Sequence, residues 1–271
     1  MTSPVDAGSP ATSHSSSHSA QILDQFSRQA ESFAAAPSLH NDAALSLLVD
    51  AAAPSASDSA LDVACGPGSV VAAFAARVRH AVGVDATSAM LDQGRKLVAA
   101  KSLQNVEFHC ADVYALPFAD RSFDIVSCRF AFHHFEEPSR AFAEMVRICR
   151  FKGRIVLCDG LASDDPAKAA AFNRMERHRD PSTVEFRTLG YLIELFAGAG
   201  LPPPTQAFYR VPTERDALMA GSFPANDDRD LLRRMIDESA DDDRLGMQSK
   251  RKGDTVLLSY PSVILASPKL G

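Results

Sequence analysis

Apolar residues recur at different periods in different stretches of the chain, and each period predicts a kind of element. Met1 to Ser19 hold Ser, Thr, Pro and Ala with almost nothing to bury, which predicts a disordered tail over 1–19. From Ala20 the pattern turns helical: Ile22, Leu23, Phe26, Ala30 and Phe33 share one face, and Ala43, Ala44, Leu47, Leu48 and Val49 continue it in a second helix. Residues 20–53 therefore read as an N-terminal helical cap on a main domain over 54–271.

Between Ala60 and Gly160 short apolar runs alternate with amphipathic stretches. The runs Ala60–Ala64, Ala81–Asp85, Val106–Cys110, Phe123–Cys128 and Gly153–Asp159 predict strands, and Val70–Val78, Ser88–Ala100 and Pro138–Cys149 predict the helices between them. This alternation is the signature of α/β architecture with a doubly wound sheet, in which ligands bind beyond the carboxyl ends of the strands. Further on, Pro166–His178 and Phe186–Ala199 look helical, and Thr205–Val211 and Thr255–Ala266 look like strands. The segments 160–185 and 212–254 interrupt this order and read as lid insertions, since long connections are usually functional.

Charge and cysteine content narrow the partners. The 271 residues carry 28 Lys+Arg against 34 Asp+Glu, so the cationic footprint that duplex nucleic acid requires is missing. Five cysteines, an odd number without a C-x-x-C pair, suggest neither a disulfide framework nor a thiolate zinc site, and fit a reducing cytoplasm. No metal site is expected; His14 and His18 read as solvated tail residues. No apolar run reaches the roughly 18–20 residues that span a bilayer, and the start lacks the marks of a signal peptide. The expectation is a soluble cytoplasmic protein without nucleic-acid or membrane partners.

The sharpest local signal is Leu61-Asp62-Val63-Ala64-Cys65-Gly66-Pro67-Gly68, a buried strand entering a glycine turn and then a helix. Such a turn lets a ligand approach the backbone closely, or it is simply a tight strand-to-helix connection. The dinucleotide fingerprint fails at its third glycine, where Val71 stands, and no Gly-Lys-Ser/Thr follows to make a phosphate loop. A nucleotide-like cofactor without pyrophosphate survives. Asp85, ending the second strand, stands where an acid accepts ribose hydroxyls, or else serves as a helix N-cap. Asp112 and Val113 follow the third strand, where a carboxylate and a backbone N–H suit an adenine edge.

The runs LDVACGPG, AVGVDATSAML, ADVYALPFADRSFDIVSCRFAFHHFEEP and GRIVLCD together resemble the class I S-adenosylmethionine-dependent methyltransferases, and within them the small-molecule "type 11" group that includes ubiquinone and menaquinone C-methyltransferases. The resemblance is close over about Ser59 to Gly160. It implies a Rossmann-like, doubly wound, seven-stranded mixed sheet with helical cap and lid insertions, with S-adenosyl-L-methionine as cofactor and S-adenosyl-L-homocysteine as product. By the same resemblance Asp62, Gly66 and Gly68 surround the methionine part, Asp85 holds the ribose, Met90 packs near the adenosine, Asp112 and Val113 read the adenine, and Arg129 lies near the methionyl end. Ala64 stands where the family more often has Gly, and as a residue with a Cβ it is expected to avoid positive φ.

Methyl transfer from a sulfonium is an in-line displacement, so the protein's task is alignment and, where needed, proton removal. His133 and His134 follow the fourth strand and stand as a candidate base, against the alternative that they serve loop and helix packing. Arg177 and His178 either face the substrate or belong to a solvated helix, and Lys250-Arg251-Lys252 reads as a solvated turn. Phe26 and Phe33 resemble the aromatic closure of the family's N-terminal cap, or are core residues. The expected function is methyl transfer to N, O or C of a small-molecule acceptor. An NAD(P)-dependent oxidoreductase and a catalytically silent cofactor-binding or regulatory protein are the alternatives. The acceptor and the oligomeric state are left open by the sequence.

Overall fold

The computed structural model describes residues 15–34 and 42–271, apart from a few side chains that include Phe33. Eight strands form one sheet: β1 (Ser59–Val63), β2 (His80–Asp85), β3 (Val106–Cys110), β4 (Phe123–Arg129), β5 (Cys149–Gly160), β6 (Thr205–Glu214), β7 (Lys250–Lys252) and β8 (Thr255–Pro268). The continuous path runs β3-β2-β1-β4-β5-β8-β6. Its first five strands are parallel, and β8 runs antiparallel to both β5 and β6. The seven strands of this path are those the periodicity predicts. The eighth, β7, pairs with the start of β8, so Lys250–Lys252 is a strand rather than the expected turn.

Every residue of β1 is buried, as a central parallel strand covered on both faces must be. On one face α5 (Pro138–Ile148) and α7 (Leu189–Gly198) bring Phe142, Met145, Ile148, Leu195 and Phe196 into the larger core. On the other, α2 (Asp42–Ala51), α3 (Ser69–Ala75) and α4 (Ser88–Ala100) contribute Leu48, Val49, Val70, Phe74 and Leu91. Pro138 opens α5 at a position where its missing N–H costs nothing. The Arg147 guanidinium, ion-paired to Glu144 at 2.7 Å, donates to the carbonyls of Leu116 and Phe118 and so fixes the loop between β3 and β4.

A third, smaller core joins the two insertions. Phe172 and Met175 of α6 (Pro166–Arg179) pack with Met219 of α8 (Arg215–Ala220), Leu232 and Ile236 of α9 (Arg229–Asp242), and Met247. Asp165 caps α6, its Oδ1 accepting from Ala167 N at 2.9 Å. The first helix, α1, covers Ser15–Ala34, so it takes in the last five residues of the predicted tail; residues 1–14 lie outside the described residues. The extra turn is polar, Ser15-Ser16-Ser17-His18-Ser19, so the backbone helix extends beyond the apolar pattern that predicts it.

Candidate active site

The sheet reverses its winding between β1 and β4, which leaves a crevice at the carboxyl ends of the strands. β1 turns into it sharply, with Ala64 at φ 54°, Gly66 at φ 51° and Gly68 at φ 77°. Gly66 faces open space: a Cβ there would meet nothing within 4 Å. Gly68 is packed more tightly. A Cβ at that position would stand 3.0 Å from the Phe108 ring, and Gly68 is not on the wall of the cavity. Ala64 corrects the expectation of negative φ: the turn between Asp62 and Gly66 forces it left-handed, at a cost of roughly 1–2 kcal/mol for a residue with a Cβ. Ala64→Gly is expected to stabilise the fold by about 1 kcal/mol, read as a higher urea midpoint. An unchanged or lower midpoint would show that the turn carries no such strain.

A cavity of about 500 Å³ fills the crevice. Asp62 of β1, Asp85 of β2, Asp112 after β3 and Arg129 of β4 reach it from successive strands, and Met90 of α4 lines it beside them. Asp62 is buried and accepts a hydrogen bond from Ser127 Oγ at 2.6 Å. Burial pushes its carboxyl up to about 7, against the opposing effects of the Ser127 bond and the Arg129 charge. Asp85 is already engaged: its Oδ2 accepts from Gly66 N at 2.9 Å and its Oδ1 from Thr87 N at 2.8 Å. It thus ties the glycine turn to the start of α4, and burial raises its pKa. The helix N-cap itself is Thr87. Asp112 is exposed at the rim, its Oδ1 accepting from Tyr114 N at 2.9 Å, and Val113 beside it is buried.

The apolar side of the cavity belongs to α1, through Ile22, Leu23 and Phe26. Phe26 meets the His134 ring edge-on, with centroids 5.0 Å apart. Phe33, the other expected closing aromatic, has a side chain outside the described ones.

The two histidines part company. They sit in one 3-10 turn, Phe132–His134, with their rings in contact, centroids 4.1 Å apart and planes tilted by 45°. His134 lines the cavity; His133 does not. The His133 ring stacks on Phe186 at 4.0 Å, and its Nδ1 lies 2.7 Å from Asp159 Oδ1 while its backbone N donates to Asp159 Oδ2 at 3.0 Å. Its carbonyl accepts from Val184 N and Glu185 N. His133 therefore fastens the insertion to the sheet.

Arg177 and His178 are also off the cavity wall. Arg177 Nη1 donates to Val184 O at 3.0 Å and His178 Nε2 to Asp228 O at 2.9 Å, so both are occupied in holding the insertions together. None of the described side chains of 160–185 or 212–254 lines the cavity. The expected lid stands beside the site, and α1 covers it.

Several residues here escaped the sequence reading. Ser127 and Asp159 are polar groups at buried positions of apolar strands, and that interruption was their signal. Ser69, at the start of α3, lines the cavity with a buried hydroxyl that has no hydrogen-bond partner among the described residues. Among the described residues there is no cluster of side chains able to hold a metal ion, and no helix is long and apolar enough to cross a membrane.

A family model described as a methyltransferase domain matches residues 61–157. Over 208 residues the chain is 31% identical to YcgJ, an uncharacterized methyltransferase of Bacillus subtilis, a match spanning 76% of this chain and 82% of that one. The chain belongs to the class I S-adenosylmethionine-dependent methyltransferases. The crystal structure of YcgJ agrees with the methyltransferase at a TM-score of 0.76 and 28% identity, over 84% of this chain and 98% of its own. A demethylmenaquinone methyltransferase of Clavibacter sepedonicus is 36% identical over 135 residues, 50% of this chain and 54% of the relative, so the match spans about half of that protein. The geranyl diphosphate C-methyltransferase of Streptomyces coelicolor A3(2), solved with S-adenosyl-L-homocysteine, shares the fold at a TM-score of 0.62 and 15% identity. The cofactor of this methyltransferase is S-adenosylmethionine, and the nicotinamide alternative is set aside.

Proposed function

We propose that the methyltransferase moves the methyl group of S-adenosylmethionine to a nitrogen, oxygen or carbon atom of a small, largely apolar acceptor. The observation that supports this reading is a single cavity with acids from three successive strands on one side and α1 side chains on the other. The polar side suits the cofactor. Asp62 accepts from the methionyl ammonium, with Arg129 and the unpartnered Ser69 hydroxyl at the same end. Asp85 takes the ribose hydroxyls while keeping its grip on Gly66 N, Met90 packs near the adenosine, and Asp112 and Val113 N–H meet the adenine edge. The open face of Gly66 leaves room for close approach.

S-adenosylmethionine supplies an electrophilic methyl group on a sulfonium. The protein supplies alignment, exclusion of water by Ile22, Leu23 and Phe26, and a proton acceptor in His134. Burial, and then the neighbouring His133 ring, push the His134 pKa down, so the ring is neutral at working pH. Calorimetry with S-adenosylhomocysteine tests the cofactor half: binding is expected, and its absence would sink the reading. Transfer of labelled methyl from the cofactor into an organic-extractable product tests the acceptor half, with a product that stays in the aqueous phase as the contrary outcome.

The histidines give a separate expectation. His134→Ala is expected to lose turnover and the acidic limb of the pH–rate profile, which lies below the ordinary imidazole range because the folded pKa is depressed. His133→Ala is expected instead to cost stability, about 2–3 kcal/mol, because buried Asp159 loses a partner. Equal turnover losses in both would return His133 to the chemistry.

A further inference from the structure

The loop that leaves β3 builds one end wall of the cavity. Asp112 starts it: its Oδ1 accepts from Tyr114 N at 2.9 Å and its carbonyl accepts from Ala115 N at 3.1 Å, so residues 112–115 form a tight turn. Next, Leu116 N donates to Glu144 Oε2 at 2.9 Å and the Leu116 carbonyl accepts from Arg147 at 3.1 Å, which ties the turn to α5. Val113 and Leu116 are buried in the larger core. The turn is therefore held from both sides, and the largest side chain it sends to the cavity is Tyr114.

Tyr114 is fixed by its neighbours as well. Its Oη accepts from Glu137 N, at the start of α5, at 3.2 Å. The Arg140 guanidinium carbon lies 5.1 Å from the ring centroid, a cation–π distance, and Arg140 is itself ion-paired to Glu137 at 3.1 Å. Phe135 meets the ring edge-on with centroids 6.1 Å apart. Tyr114, Phe135, Glu137 and Arg140 all line the cavity, so this cluster bounds it beyond Asp112 and Val113. The direction of a base placed there follows from the same turn. Asp112 Oδ1 is spent on Tyr114 N, which leaves Oδ2 to accept from an exocyclic amino group and the Val113 N–H to donate to the ring nitrogen beside it. An adenine read in this way points its 6-amino edge at residues 112–114. A hydrogen on that nitrogen has room, whereas a larger substituent meets the Tyr114 ring, which its neighbours keep from moving aside.

We propose that Tyr114, backed by Arg140, is a specificity-determining residue for the cofactor, a fixed stop at the 6-amino edge that admits adenosyl sulfonium compounds with a free amino group and rejects those substituted at N6. The inference rests on the reading that Asp112 and Val113 meet the adenine edge. Rejection comes from a clash rather than from a lost bond, because an adenine with one N6 substituent keeps an N–H for Asp112. Forcing a group into a well-packed wall costs roughly fivefold to 150-fold in affinity. The restrained turn matters for this reason: a wall free to move would yield to the substituent and discriminate little.

Calorimetry on the full chain with two probes, S-adenosylhomocysteine and its N6-benzyl derivative, tests the stop. Wild type is expected to bind the benzyl derivative at least about tenfold more weakly than S-adenosylhomocysteine. Tyr114→Ala vacates a phenyl-sized space that matches the added ring. It is expected to bind the derivative at least about tenfold more tightly than wild type does, and S-adenosylhomocysteine about threefold to tenfold more weakly through lost packing. That opposite movement of the two probes is an outcome that mere damage to the fold would not produce. Arg140→Ala leaves the Tyr114 ring but removes its backing, and is expected to move the derivative the same way by about threefold; Arg140 is exposed, so this variant carries the test if Tyr114→Ala does not fold. Equal binding of both probes by wild type overturns the proposal, and so does Tyr114→Ala, or Arg140→Ala in its place, binding the derivative no more tightly than wild type. Failure of wild type to bind S-adenosylhomocysteine at all would instead overturn the cofactor reading, and this inference with it.

Discussion

Asp62→Asn is expected to make the free methyltransferase more stable above neutral pH and to weaken S-adenosylmethionine binding by about a hundredfold. The stability half follows from burial. The Asp62 carboxyl titrates at about 7 rather than 3.8, so the native state binds a proton more tightly than the unfolded chain between those values. Stability from this group is therefore lost as pH rises from about 4 to about 7 and stays lost above it. At about 1.4 kcal/mol per pH unit the ionised form costs the fold on the order of 4 kcal/mol. Asparagine is isosteric, keeps an oxygen for Ser127 Oγ, and has no charge to bury. The gain is expected to be on the order of 2–4 kcal/mol at pH 8 and close to none at pH 4, read as melting temperature against pH. The binding half follows from loss of the charged partner for the cofactor's ammonium. Wild-type affinity should rise with pH up to about 7, where Asp62 ionises without help, and binding near pH 6 should release a proton. Parallel melting curves for the two proteins across pH, with equal affinities, would remove Asp62 from this role.

Asp85→Ala is expected to weaken cofactor binding by about 1–3 kcal/mol, roughly fivefold to 150-fold. Two losses combine. The proposed ribose acceptor disappears, and the N–H groups of Gly66 and Thr87, held at 2.9 and 2.8 Å, lose their partner, so the turn that shapes the cavity loosens. Urea unfolding should therefore show a stability loss even without cofactor, which separates Asp85 from residues that serve the ligand only. Asp85→Asn retains one acceptor oxygen and is expected to fall between alanine and wild type. Calorimetry that finds wild-type affinity in Asp85→Ala would show that the ribose is bound elsewhere.

The boundaries of β3 and α4 were legible residue for residue, because Val106–Cys110 and Ser88–Ala100 carry clean periodicity between polar breaks. β5 was not. It begins at Cys149 rather than Gly153, because a shift in register pairs Phe123 with Cys149 and then Ile125 with Arg154. That irregularity needs a residue without a Cβ, since one at Gly153 would stand 2.6 Å from Asp124 O. The acids at the strand ends were legible because a strand's register fixes which residue reaches its carboxyl end. The partition of His133 from His134 was not, because two neighbours in a tight turn differ only in what packs against them.

The alternation of apolar runs determined the α/β class and the strands of the sheet, and the four motifs in order determined the cofactor and picked out the acids from successive strands that line the cavity. These are local or strand-end properties, written in spacing. Tertiary structure alone decided that α1, rather than the described side chains of the two insertions, lines the cavity, that Gly68 packs against Phe108, and that Arg177 and His178 hold loops together. It also decided that Asp180, far from His134 in the chain, stands behind it through Ser182. Each depends on contacts between distant segments, where burial and hydrogen-bond geometry, not spacing, select which polar side chain is spent on the fold and which reaches the cavity.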